Sequence, residues 1–351
     1  MHSLSRLPAA GYLLRGGAPV LGSWREGWRR VSSAPAVAVG VFALTFLLAL
    51  PLAVALRGEI RSHLGSSLMA GEVTDGVNVT WWQEFSAQAT GLGTTFSPTI
   101  LGFAATLDNL SSVLDGRAEI APIGGALAVY LAGWTFLSGG IIDRYARQRP
   151  TRPHGFFAAS GVYFFRFLRL AVVAGCLFGW LFAYLHPWLF DEQYVTLTRG
   201  MAVERTAFLA RVAFYVIFGA LLVFANVLFD YAKVRLVVED RHSAVGALVA
   251  ALRFIRHHPR QVMGLYALNG LVFVALLALW ALMAPGAGGA AFSMWATFVI
   301  AQIYIIARLL LKLQFMASQT ALFQAHLAHA AYTAAPLPVW PESPAAETIP
   351  R

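Results

Sequence analysis

Apolar and polar positions follow one another along this chain in long blocks, not at the short periods of a soluble domain. Six apolar blocks run near Pro35 to Leu56, Ile120 to Ile142, Leu168 to Trp188, Thr206 to Phe229, Val262 to Met283 and Met294 to Leu311. Each is long enough to cross a bilayer, whose hydrocarbon core of about 30 Å needs roughly 20 helical residues. The pattern predicts an all-α polytopic membrane protein with six transmembrane helices, and an even number of crossings puts both termini on one side.

Between the blocks, shorter amphipathic periods predict further helices. Ser243 is placed to cap a helix whose Val245, Leu248, Val249, Leu252 and Ile255 share one stripe, with Arg253, Arg256 and His257 off it. His258 then precedes Pro259, which ends that helix and suits the first turn of the next. Residues 241–258 therefore read as an elbow helix lying in the headgroup layer. Residues 1–33 carry a similar segment, with Trp24, Trp28 and Val31 before Ser33 and Pro35, and Phe156, Phe157, Phe164 and Phe167 follow Pro153. The three odd-numbered spans thus suggest one unit, elbow plus two-span hairpin, used three times. The ordinary basic, aromatic composition of a membrane interface accounts for the same echoes.

The stretch from Ser243 to Tyr266, an elbow running into a span, resembles the membrane domain of some bacterial glycerophosphodiester phosphodiesterases and several uncharacterised six-span bacterial inner-membrane families. The resemblance implies an architecture of elbows and hairpins only. It brings no catalytic residue, and the 351 residues leave no room beside six spans for the soluble barrel that performs hydrolysis in those enzymes.

Charge fixes an expected orientation. Charged residues make up only 12% of the chain and hydrophobic ones 58%, so its net charge of +9 is topological and no nucleic-acid partner is expected. Arg6, Arg15, Arg25, Arg29 and Arg30 precede the first span; Arg144, Arg147, Arg149, Arg152 and Arg166 follow the second; Lys233, Arg235, Arg241, Arg253, Arg256 and Arg260 follow the fourth. These segments should be cytoplasmic. Residues 57–119, where Glu59, Glu72, Asp75, Glu84, Asp108, Asp115 and Glu119 outnumber the arginines, should be an extracytoplasmic insert. The Arg, Ala and Gly bias suggests a bacterial inner membrane. Thirty-four residues precede Pro35, and the first apolar run is too long for a signal peptide, so an uncleaved first span is expected. The membrane domain should occupy 34–331, and the Pro-rich tail 332–351 should be a disordered cytoplasmic segment.

In the insert, Thr80 to Gln83 reads as a capping box opening a short helix, and Ile100, Phe103, Leu107, Leu110 and Leu114 predict a second. The insert should cap the membrane surface and span ends, with Trp81, Trp82, Glu84, Asp108 and Asn109 as a candidate contact surface for a protein partner. A ligand site, or a membrane enzyme built on Glu84, Asp108 and Asp115, would need those carboxylates in one cleft.

Ionisable residues inside spans are costly and mark candidate sites. Asp230 and Arg308 are placed to pair, and Arg308, Lys312, Gln319 and His326 share one helical stripe, with Gln302 and Asn226 nearby in the membrane. A polar pathway, or snorkelling to headgroups with interhelical hydrogen bonds, accounts for this pattern. Cys176, the single cysteine, reads as a small core residue; His326 and His329 supply two ligands of an incomplete metal site. No nucleotide-binding loop or nucleophile elbow occurs, and neither cofactor, metal nor catalytic residue is expected. The reading is a non-catalytic scaffold, assembly partner or lipid-interacting module whose basic elbows grip anionic headgroups. The alternative is a transporter of a lipid or small amphiphile through a cavity between hairpins.

Overall fold

The computed structural model describes residues 19–65, 67, 69–75, 78–96, 111–116, 123–148, 152–283 and 292–334. Among these the chain is all-helical: α1 (Pro19–Ser32), α2 (Pro35–Leu64), α3 (Ala70–Asp75), α4 (Val79–Gln88), a 3-10 turn (Gly91–Thr95), α5 (Gly124–Arg147), α6 (Pro153–Trp180), α7 (Glu204–Val238), α8 (Ala244–His257), α9 (Pro259–Met283) and α10 (Phe292–Ala334). Six helices are long and apolar enough to cross a membrane, which makes this a multi-pass membrane protein. The last helix runs three residues past the expected boundary at 331, and the rest of the tail lies outside the described residues.

Proline sets the helix starts. Pro35 and Pro153 stand in the first turn of α2 and α6, where a missing N–H costs nothing, and Pro259 opens α9. Helix α1 ends at Ser33 and Ala34 before Pro35, and α8 ends at His258 before Pro259. No such break separates Phe156 and Phe157 from the third span, since α6 runs uninterrupted from Pro153. At its far end α6 passes through π-helical segments, Leu181–Leu185 and Trp188–Gln193, on either side of Pro187, and reaches Thr198. The wider register accommodates a ring that would otherwise strike the carbonyl one turn earlier. The connection expected after Trp188 is therefore helical as far as Thr198, leaving a short loop before Glu204.

Most of the core sits at one end of the bundle, where α1, α8, the C-terminal halves of α5 and α7, the starts of α6 and α9 and the second half of α10 meet; Leu181, Leu189, Phe190 and Phe218 form a smaller cluster between the far end of α6 and α7. Ile142, Tyr163, Phe167, Tyr231, Leu236, Phe254, Leu265 and Phe323 form the core's largest cluster; Val31, Val41, Ile141, Tyr145 and Leu313 form a second beside it. Helices α5 and α6 pack along each other, although the threefold plan assigns these spans to different hairpins. Small residues permit it: a Cβ on Gly139 would lie 2.8 Å from Cβ of Tyr163, and one on Gly140 would lie 2.9 Å from the Phe156 carbonyl oxygen.

Arginines lock this end. Arg30, only 7% exposed, donates to the Tyr145 carbonyl (3.1 Å) and to Gln324 (2.8 Å), joining α1, α5 and α10. Arg144 donates to the Ser33 carbonyl at 3.2 Å, and Arg166 of α6 binds Asp240 beyond α7. Burial pushes the Glu26 carboxyl up, but hydrogen bonds from Arg29 and Arg30 hold it below the usual range. Asp240 is likewise held low by the Arg166 guanidinium.

Burial locates the inward face of α8 and corrects one expectation, that for Cys176. The face of α8 against the bundle is Ala244, Ala247, Ala251, Phe254 and Ile255, whereas Val245 and Val249 are 63% and 48% exposed; of the expected stripe only Ile255 is buried. Alanine lets the α8 backbone approach its neighbours closely, so the larger aliphatics are turned outward. Cys176, read as a core residue, is exposed.

Candidate functional site

The opposite end carries the insert. Helix α4 starts at Val79, and its cap is Asn78, whose side chain accepts from the Trp81 N–H at 2.9 Å, in place of the expected capping box at Thr80. Trp81, expected on an outer contact surface, is buried at 4% exposure: it donates to His63 Nδ1 of α2 at 3.1 Å and stacks on Phe85 at 5.3 Å. Two aromatic faces gain more by closing against each other and the end of α2 than by facing solvent. Gly93 sits against the same cluster, where a Cβ would lie 3.4 Å from Phe85 Cζ and 3.2 Å from Ala89 Cβ. Trp82 is half-buried with its N–H on the Phe96 carbonyl, and Glu84 is exposed. Asp108 and Asn109 lie outside the described residues, as does most of the second insert helix.

The insert's last turn reaches different spans. His186 of the α6 extension is bonded to the Leu114 carbonyl at 2.7 Å, and Tyr215 of α7 donates to Asp115. Glu84 stands exposed on α4, whose Trp81 closes on α2, whereas Asp115 accepts from Tyr215 of α7.

Nearer the basic end, a polar seam crosses α5, α7, α9 and α10. The Asp230 carboxylate pairs with Lys233 at 3.0 Å and accepts from Gln319 Nε2 at 3.4 Å. The expected Asp230 to Arg308 pair does not form: Asp230 finds a partner one turn away on its own helix, and Arg308 is exposed, its guanidinium 5.6 Å from the Tyr304 ring. Lys312 lies with Nζ 3.5 Å from the Trp134 ring centroid and 3.5 Å from the Tyr130 hydroxyl, with Lys233, Asp230 and Arg308 as charged neighbours. A cation–π contact of this kind holds an ammonium where water is scarce. The amides join helices: Asn226 donates to Tyr266 at 3.4 Å and buried Asn269 to Ser318 at 3.0 Å. Gln302 is half-buried six residues before Arg308, with no side-chain hydrogen bond among the described residues.

So the structure brings together Asp230, Lys312 and Gln319 and adds Lys233, Tyr130 and Trp134, which hydropathy had assigned to span interiors and interfaces. Two cations, Lys233 and Lys312, and one carboxylate share the seam, with Arg308 a further charged neighbour of Lys312, an arrangement that attracts anions. His326, on the same stripe of α10, turns instead to His258, with ring centroids 4.2 Å apart. The His329 side chain lies outside the described residues.

A groove of about 560 Å³ opens between the end of α7 and α8, lined by Arg235, Arg241, Arg253, Phe254, His257 and His258. Glu239 organises it, accepting from Arg235 Nη2 at 2.9 Å with one oxygen and from Arg241 Nε with the other. The i,i+4 spacing of Arg235 to Glu239 and of Arg253 to His257 is the one trace of this groove in the sequence. Compared with known protein families, curated proteins and solved structures, the chain finds no match in any of the three.

Proposed function

We propose that the protein is a non-catalytic, multi-pass component of a bacterial inner membrane, with both termini cytoplasmic, serving as a scaffold or lipid-interacting module. The observation that carries this reading is the convergence of Arg30, Arg144, Arg166, Arg235, Arg241 and Arg253 on the end of the bundle that also holds most of its core. There α1 and α8 act as elbows, each followed by a proline-started span, as in the architecture that the Ser243 to Tyr266 stretch resembles. Clustered arginines beside spans favour the anionic inner surface, at about 1 kcal/mol per residue near it. The insert, strapped from α2 to α7, offers an outer face to a protein partner.

Nanodiscs test the lipid part of this reading. Protein in discs containing phosphatidylglycerol should unfold at a higher temperature than in pure phosphatidylcholine, with the difference shrinking as salt rises. Equal midpoints in both discs would refute it.

The seam of Asp230, Lys233, Lys312 and Gln319 favours a second reading, a carrier of a lipid or small anionic amphiphile. Uptake of an anionic lipid analogue into proteoliposomes should then fall with Asp230→Asn or Lys312→Met. Uptake indifferent to both would remove the seam from any pathway.

A further inference from the structure

We propose that the groove between the end of α7 and α8 binds a phosphate group, held by the guanidiniums of Arg235, Arg241 and Arg253. The site deepens the lipid-interacting reading above and rests on it for the lipid source of that phosphate.

Three features argue for a built site. First, Glu239 spends both carboxylate oxygens on Arg235 and Arg241, which turns the two guanidiniums toward a common volume while neutralising one charge of three. Each guanidinium has five N–H donors, so most remain free for another acceptor. Second, the Arg235 Nε–H is buried with no hydrogen-bond partner, although its guanidinium is braced 5.0 Å over the Phe323 ring. A buried donor left unmet costs about 1–3 kcal/mol, so a rotation of this guanidinium toward an acceptor in the groove would recover part of that cost. Third, the Arg253 side chain makes no hydrogen bond or ion pair among the described residues, yet it faces the same groove, close enough for Arg241 and Arg253 both to repel the Arg235 charge.

Phosphate fits this chemistry better than a carboxylate does. Its tetrahedral oxygens accept from several planar guanidiniums at once, and its charge relieves the repulsion among them. Val249, Ala250 and Phe254 of α8 line the same groove and supply apolar surface, which suits the glycerol and upper acyl part of an ester. The phosphate of an anionic phospholipid and a soluble phosphate share this recognition.

The test uses the full chain in an uncharged detergent at constant ionic strength, titrated calorimetrically with short-chain dihexanoyl phosphatidylglycerol and, separately, with inorganic phosphate. Saturable binding of either probe is expected, weakened roughly tenfold by Arg253→Gln, since a charge-assisted hydrogen bond is worth about one factor of ten or more. Arg256→Gln removes the same charge from the same helix outside the groove and should change affinity less than twofold. Arg253 carries no structural bond, so its variant should melt with the wild type. Binding of the lipid probe alone assigns the site to a headgroup; competition by inorganic phosphate assigns it to a soluble phosphate. Binding of neither probe, or equal losses in the Arg253 and Arg256 variants, overturns the proposal. Should the nanodisc stabilisation by phosphatidylglycerol persist in Arg253→Gln while titration fails, the site falls and the lipid-interacting reading stands.

Discussion

Gly140→Ala sets local helix propensity against packing in one methyl group. In an exposed helix the change stabilises by about 1 kcal/mol, because alanine loses less backbone freedom on folding. At Gly140 the added Cβ would overlap Ser160 Oγ and lie 2.9 Å from the Phe156 carbonyl oxygen and 3.0 Å from Phe156 Cε2. Ser160 is fully buried, and the carbonyl belongs to the backbone of α6, so relief requires moving one helix against the other. Overpacking of this kind costs about 1–3 kcal/mol, and a contact with main chain belongs at the upper end, which leaves a net loss of about 1–2 kcal/mol. For a chain of this size that lowers the unfolding midpoint by roughly 1–3 °C. Heating the detergent-solubilised protein and following the surviving monodisperse fraction by fluorescence-detected gel filtration measures the shift. Gly161→Ala, on α6 with nothing within 4 Å of its Cβ position, is the matched control and should melt at or slightly above wild type. A Gly140→Ala protein as stable as that control would refute the close approach of α5 and α6.

Two further perturbations probe α8 and its end. His258 has its pKa lowered from 6.5 by burial and by the nearby His326 and His257, with Arg235, Arg241 and Arg253 lining the same groove. The unfolded chain therefore binds that proton more readily; stability from neutral His258 is intact above pH 6.5 and lost as pH falls through the lower folded value. The midpoint should drop between pH 7 and 5 more steeply in wild type than in His258→Gln, and parallel curves would exclude His258 as the titrating group. Ser243→Ala removes the side chain that accepts from the Gly246 N–H at 3.1 Å and should cost about 1 kcal/mol, recovered by Ser243→Asp, as read from the same melting assay.

How legible the candidate site was depended on whether its partners lie on one helix or on several. The i,i+4 neighbours Arg235 and Glu239, and the stripe from Arg308 to His326, could be read from spacing alone. Their cross-helix partners could not. Asp230 has Arg308 and Lys312 as equally plausible mates until the rotation of α7 against α10 is known, and in the fold it turns to Lys233 and Gln319. The aromatic positions of the insert announced a buried face, yet nothing in them said that Trp81 would close on His63 of α2. A hydrophobic stripe likewise names the apolar side of α8 without saying whether alanine or valine meets the bundle.

Six spans, their approximate limits and the gathering of arginines in alternate loops were settled by the amino-acid order itself, because the transfer of each block into a bilayer is a sum over its own residues and needs no neighbour. Tertiary structure alone decided that α6 runs on through Pro187, that most of the core lies at the arginine end, that the insert straps α2 to α7, and that three guanidiniums share one groove. Those outcomes depend on helix rotation and close approach, where a glycine, an alanine or a single buried carboxylate outweighs any average taken along the chain.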